Sequence, residues 1–254
     1  MKNSRHLCAL LIAAALIGAL LYGTLAACGK PGGQTPLTGT YDGKTVTLTL
    51  DRVTDIPFSG DMASVTFHNG CVVYYAAEDD RFNLIDTDGK PVFAKGYLSL
   101  PDVADGTVIA QMADGVYQKI DLSGSVVAAS SVDEMNAQSP AACAESSRIR
   151  SIENEQGGSD WWITAEDGTP VKKLERLDVG TFENGLAPLF RGDKLGLFAE
   201  DGTVVIEPTW TVYRNGVQRV HLSEGRIVIG WGETESSSKL AILKVTASSR
   251  RPAR

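Results

Sequence analysis

Apolar and polar positions alternate in short runs along this chain, and glycine turns cut the runs at similar intervals. The stretch "DDRFNLIDTDGKPVF" (Asp79 to Phe93) returns in altered form as "GDKLGLFAEDGTVVIEPTW" (Gly192 to Trp210). The pattern Asp/Ser-Gly-x-x-Val recurs with its glycines at Gly89, Gly124, Gly168 and Gly202, spaced by 35, 44 and 34 residues. Intervals of roughly 20–50 residues mark repeat architectures. Seven residues before each of these glycines stands a large apolar side chain: Phe82, Tyr117, Trp161 and Leu195. Leu240 takes the same slot in a fifth unit, where "KLAIL" (Lys239 to Leu243) matches "KLGLF" (Lys194 to Phe198).

A second series of turn glycines, Gly70, Gly106, Gly185 and Gly225, precedes β-type runs. Each unit therefore predicts turn, strand, loop, strand, Asp-Gly turn and strand. Glycine accepts positive φ without steric cost, and Asp-Gly between apolar runs favours the turn whose twist matches its strands. Pro208 is expected to stop the third strand of unit four. The one helix candidate is "DEMNAQSPAACAESS" (Asp133 to Ser147), which Pro140 interrupts. Strand side chains alternate faces. The slot of Phe82, Tyr117, Trp161, Leu195 and Leu240 is thus expected to stack inward as the repeat core, with Trp162 pointing the opposite way.

From Phe58 to Val245 these units resemble the WG repeat of bacterial proteins, which runs approximately Asn-Gly-Leu-Ala, Lys-Trp-Gly-Tyr-Ile-Asp, an acidic-Gly turn, Val-Ile and Pro. Unit four carries the resemblance best, through Asn184, Gly185, Leu186, Ala187, Lys194, Gly196, Asp201, Gly202, Ile206 and Pro208. The namesake Trp is present only as Trp161 and its Gly only as Gly196. The fold expected is all-β: about five three-stranded hairpin repeats, arranged as a propeller-like ring or an open curved array. Thr45 to Leu50 can complete unit five, which lacks its own third strand, and so close a ring. An open array capped by that strand is the alternative.

The N-terminus supplies an address. "MKNSRHL" is basic, "CALLIAAALIGALLYG" is apolar, and "LAAC" (Leu25 to Cys28) resembles the lipobox of bacterial lipoproteins. The resemblance implies cleavage before Cys28 and lipid, including palmitate, on that residue. Residues 1–27 then form a lipoprotein signal peptide, 28–37 the lipidated Cys with a flexible Gly/Pro tether, 38–246 the repeat domain and 247–254 a disordered tail. An exported protein anchored at the cell membrane or outer membrane is expected. The competing reading is an uncleaved membrane helix.

Loss of Lys2 and Arg5 changes the formal charge from −7 to −9. An acidic domain argues against nucleic acid as a partner. Cys71 and Cys143 remain after processing and can form a disulfide in an oxidising compartment, but two scattered cysteines are no framework. His68 and His221 sit in no metal spacing, and nucleophile-elbow and phosphate-loop motifs are missing from the sequence. Asp86, Asp88, Glu166, Asp167, Glu200 and Asp201 fall at repeat turns, where turn chemistry accounts for them. No catalytic residue, metal or cofactor is assigned. Trp162 is the candidate ligand-binding residue, since an outward Trp can stack on a sugar ring. The expected function is a non-catalytic binding or scaffolding module, with cell-wall glycan or an envelope protein as partner. The alternative is a glycan-active hydrolase whose carboxylates converge in a central cleft.

Overall fold

The computed structural model describes residues 34–58, 66–76, 78–138, 149–165, 167–174, 178–213, 220–232, 234 and 237–249. Cys28, Cys143 and Glu166 therefore lie outside the described residues, as do the signal peptide and residues 250–254 of the tail. Residues 36–254 form one compact unit. Among the described residues, no helix is long and apolar enough to cross a membrane.

The protein is all-β, with five small antiparallel sheets of two to five strands. The first holds β3 (Cys71–Ala76) and β4 (Arg81–Asp86), the second β5 (Thr107–Gln111), β6 (Tyr117–Asp121) and β7 (Val126–Ala129). A short helix, α1 (Val132–Gln138), follows. Ser131 caps it: its Oγ accepts the Glu134 N–H at 3.2 Å, while the Glu134 carboxylate accepts the Ser131 N–H at 3.1 Å. The third sheet holds β8 (Ile149–Glu153), β9 (Ser159–Thr164) and β10 (Pro170–Leu174). The fourth runs β11 (Asp178–Val179), β12 (Leu186–Arg191), β13 (Lys194–Ala199) and β14 (Val204–Thr211).

The fifth sheet draws on both ends of the chain. Its order is β1 (Leu37–Tyr41), β2 (Lys44–Pro57), β17 (Lys239–Ser249), β16 (Arg226–Trp231) and β15 (Leu222–Ser223). Leu50 pairs with Leu243 and Thr45 with Ser248, so β2 is the third strand that unit five lacks in its own segment.

Four apolar clusters join the sheets in series. One links the second sheet to the first through Leu84, Val108 and Ile120, and another links the first to the fifth through Val72, Ile85 and Leu240. A third links fifth to fourth through Val46, Leu195 and Leu243, and the last links fourth to third through Leu189, Phe198 and Ile163. Among the described residues no ladder or cluster joins the second sheet to the third, and no closed ring is formed.

Two expectations are corrected. Pro208 does not end its strand: β14 continues to Thr211, because β14 is an edge strand and a proline nitrogen there leaves no ladder bond unmade. Its register slips opposite Gly196, where an added Cβ would collide with the Ile206 carbonyl. In unit one, Asn83 fills the slot of that glycine and reaches the following segment with its side chain, Nδ2 donating to the Phe93 carbonyl at 2.9 Å.

The second correction concerns the aligned slot. Leu195 and Leu240 are fully buried, Phe82 and Tyr117 are half-buried, and Trp161 is 49% exposed. Trp161 is therefore not core. Cross-strand partners share a face, so Trp161 lies on the side of Leu174 and Ile163, which packs on the fourth sheet. Burial along β9 begins only at Ile163, so the first half of the strand is left uncovered on this face.

Candidate functional site: a cleft among linked hairpin turns

Among the described residues, five two-residue turns of Asn, Asp or Glu followed by Gly recur: Asp42-Gly43, Asn69-Gly70, Asp105-Gly106, Asn184-Gly185 and Glu224-Gly225. Both residues of each have positive φ, the type I′ geometry that suits twisted strand pairs. Asn and Asp tolerate this conformation; Glu224, at φ 52°, does so less readily. Its neighbours hold it there. Glu183 Oε1 accepts the Glu224 N–H at 2.7 Å and Oε2 accepts the Gly225 N–H at 2.9 Å, so one carboxylate of the fourth sheet grips a turn of the fifth.

The linkage passes on from sheet to sheet. The Glu224 carboxylate accepts the Gly70 N–H at 2.9 Å, and Asn69 Nδ2 donates to the Val103 carbonyl at 2.7 Å. Fourth, fifth, first and second units are thereby tied turn to turn. Ser223 Oγ adds a bond to the Phe67 carbonyl at 2.8 Å, and the Arg226 guanidinium lies 5.5 Å over the Phe67 ring. His68 Nε2 stands 3.7 Å from Asp102 Oδ2 between the first and second units, and burial pushes the Asp102 carboxyl above its ordinary range. His221, buried, meets Thr181 through Nδ1 at 2.8 Å.

A cleft of about 320 Å³ opens between the β1–β2 hairpin and the fourth sheet. Val46, Leu186, Leu222 and Val245 supply its apolar lining; Asp42, Lys44, Glu183 and Glu200 supply the charges. Lys44 Nζ is 3.6 Å from Asp42, and both oxygens of Glu183 are already engaged by turn amides. The arrangement offers a small apolar pocket with a charged rim, the usual composition of a binding site.

Of the turn carboxylates named from the sequence, Asp86, Asp167 and Asp201 accept hydrogen bonds from their own loops, Asp88 stands 3.8 Å from Arg52, and Glu200 lines the cleft. Asp86 Oδ1 accepts from Asp88 N–H at 2.8 Å and Lys90 N–H at 2.9 Å; Asp167 and Asp201 each accept from the residue two ahead at 2.9 Å. Asp121, which sequence reasoning passed over, does the same, and its hydrogen bonds from Ser123 and Ser125 hold its carboxyl below the ordinary range. Among the described residues no group of three or more His, Cys, Asp or Glu is placed to hold a metal ion. Cys71 is buried in the cluster between the first and second sheets, and burial raises its thiol pKa.

Trp162 is half-buried, flanked across the third sheet by Arg150 and Lys173. It does not line the cleft. The cleft-forming role of Glu183 and the linking role of Glu224 were not read from sequence. Their one signal is their place in or beside the Asn/Asp/Glu-Gly turns.

No protein-family model matches the chain, and no curated protein matches it. Among solved structures the chain is similar to BamB from Moraxella catarrhalis, at 13% identity over 83% of this chain and 70% of that one, with a TM-score of 0.25. It is also similar to the AfRom2 CNH domain, at 11% identity over 82% of this chain and 76% of that one, with a TM-score of 0.23. At such TM-scores neither likeness carries an argument about this chain.

Proposed function

We propose that this is an exported bacterial protein, lipid-anchored through Cys28, that acts as a non-catalytic binding or scaffolding module built from an open, curved array of WG-type repeats. The observation that carries the reading is Glu183. Its carboxylate sits at the mouth of the cleft, yet both its oxygens hold the Glu224-Gly225 turn. A carboxylate so engaged positions a wall and is a poor proton carrier. Asp86, Asp167 and Asp201 support the same reading, since loop amides occupy them. The hydrolase alternative needs paired carboxylates facing one substrate.

Two experiments test it. Cys28→Ala abolishes palmitate incorporation and releases the chain from membranes; continued labelling would refute the anchor. Purified full-length chain in detergent is then applied to cell-wall sacculi, with Trp161→Ala and Trp162→Ala beside it. Retention lost in either variant, without release of sugar fragments, assigns wall glycan as the ligand. Retention by neither wild type nor variants directs the search to an envelope protein, and release of sugar fragments by wild type would favour the hydrolase.

A further inference from the structure

The cleft between the β1–β2 hairpin and the fourth sheet has two unlike walls and an apolar floor. On the hairpin wall Lys44, the one cation among the described lining residues, stands 3.6 Å from Asp42, so these two charges offset each other. On the opposite wall Glu183 and Glu200 stand beside the Asn184-Gly185 turn, where the Glu200 N–H donates to the Gly185 carbonyl at 3.0 Å. The Glu224 and Gly225 amides that hold Glu183 carry no formal charge, so their hydrogen bonds leave its negative charge in place. A carboxylate has about four acceptor positions, and these amides take two of them. Between the walls lie Val46, Leu222 and Val245.

Each feature rules out a class of occupant. Three carboxylates, Asp42, Glu183 and Glu200, against one ammonium, Lys44, repel an anion. The apolar floor offers nothing to a hydrated inorganic ion, and among the described residues no group of three or more His, Cys, Asp or Glu is placed to hold a bare one. A neutral apolar molecule would strip water from the outer acceptor positions of Glu183 without replacing its hydrogen bonds, which costs free energy. An ammonium replaces them with charge-assisted bonds. The volume of about 320 Å³ is near the lower end of the roughly 300–1,000 Å³ of small-molecule sites.

We propose that this cleft binds a small organic cation, an ammonium group on a hydrocarbon body. The ammonium donates to Glu183 at the mouth, and the body covers the floor of Val46, Leu222 and Val245. The assignment rests on the reading of the chain as a binding module, and it gives the cleft a ligand of its own, apart from any glycan at the tryptophans of the third sheet.

Fluorine NMR of para-fluorobenzylammonium, titrated with the full chain in nonionic detergent, tests this. The alcohol and the benzoate of the same ring serve as neutral and anionic counterparts. Ala247 is exposed and pairs with Val46 on the cleft face, so Ala247→Phe fills the floor from outside the core, and any uptake it retains belongs to the micelle. Glu183→Gln removes the charge and keeps an acceptor for one turn amide. The ammonium is expected to saturate at one per chain and to bind about tenfold more tightly than the alcohol, the worth of one charge-assisted hydrogen bond. The benzoate is expected to stay unbound. Ammonium binding is expected to vanish in Ala247→Phe, to fall about tenfold in Glu183→Gln, and to weaken as salt is added. If either variant melts early, Glu200→Gln decides: it removes a rim charge, leaves the Glu224-Gly225 turn alone, and is expected to lose affinity several-fold.

A wild type that takes up no more ammonium than Ala247→Phe overturns the proposal. Alcohol bound as tightly as ammonium, or a folded charge variant with undiminished affinity, overturns it as well. Sacculus retention is read separately: a chain held by sacculi that takes no ammonium loses only this proposal, and one that takes ammonium without being held by sacculi loses only the glycan.

Discussion

The fifth and third sheets are built from the same repeat phrase and differ in how many neighbours they have. The fifth lies between two packed sheets. Along β17, Leu240 and Ile242 belong to the cluster shared with the first sheet, while Ala241 and Leu243 belong to that shared with the fourth. Four consecutive residues are therefore buried, the continuous apolar run of a strand covered on both faces. The third sheet ends the series. Ile163 and Leu174 pack on the fourth sheet, and the opposite face carries Arg150, Trp162 and Lys173 with no described cluster over it. Equivalent positions thus meet opposite fates, Leu240 fully buried and Trp161 half in solvent. The repeat sets which way the slot points, and how far the neighbouring sheet reaches along the strand sets whether it is core.

The sharpest way to break this comparison is to truncate the slot in both sheets. Leu240→Ala leaves a cavity between two sheets and is expected to cost about 3–5 kcal/mol in urea unfolding. Trp161→Ala is expected to cost under about 1 kcal/mol, despite the larger side chain. Equal losses would mean that the fourth sheet covers Trp161 after all. Next in size is Gly196→Ala, where the new Cβ meets the Ile206 carbonyl and, at 2.7 Å, the Pro208 nitrogen; a loss of about 1–3 kcal/mol is expected. No change there would show that β14 can withdraw from β13 without cost.

Glu183→Ala should weaken the fourth–fifth link by about 1–3 kcal/mol, by leaving the Glu224 and Gly225 amides unpaired. Hydrogen exchange at those two amides should rise while that of β9 stays unchanged. The smallest effect is expected at Asp121, in the exposed turn between β6 and β7. Turn hydrogen bonds depress its carboxyl in the fold, so its stabilisation is present above the unfolded carboxyl range and lost as pH falls through the lower, folded value. The melting difference between wild type and Asp121→Ala should therefore be visible at neutral pH and shrink on acidification. A difference that grew in acid would reverse the sign assigned here.

The repeat units were legible because their turns are local: Gly89, Gly124, Gly168 and Gly202 all take positive φ, and the residues between the turns form strands. The pairing of Thr45–Leu50 with the C-terminal strand was legible too, since each segment held what the other lacked. The linking carboxylates were not. Glu183 and Glu224 sit in or beside turns whose sequence explains itself, and their partners are 41 and 154 residues away. Trp161 was misread because alignment gives direction without giving extent of cover.

Sequence alone determined the strand-turn-strand phrase, the alternation of faces and the turn chemistry, because each depends on residues a few positions apart. Tertiary structure decided which sheets have two neighbours and which have one, and how far each neighbour covers the strand beside it, and so which copies of one slot are core. Those outcomes depend on how far one sheet comes to cover another, which the few residues of a strand and its turns do not specify.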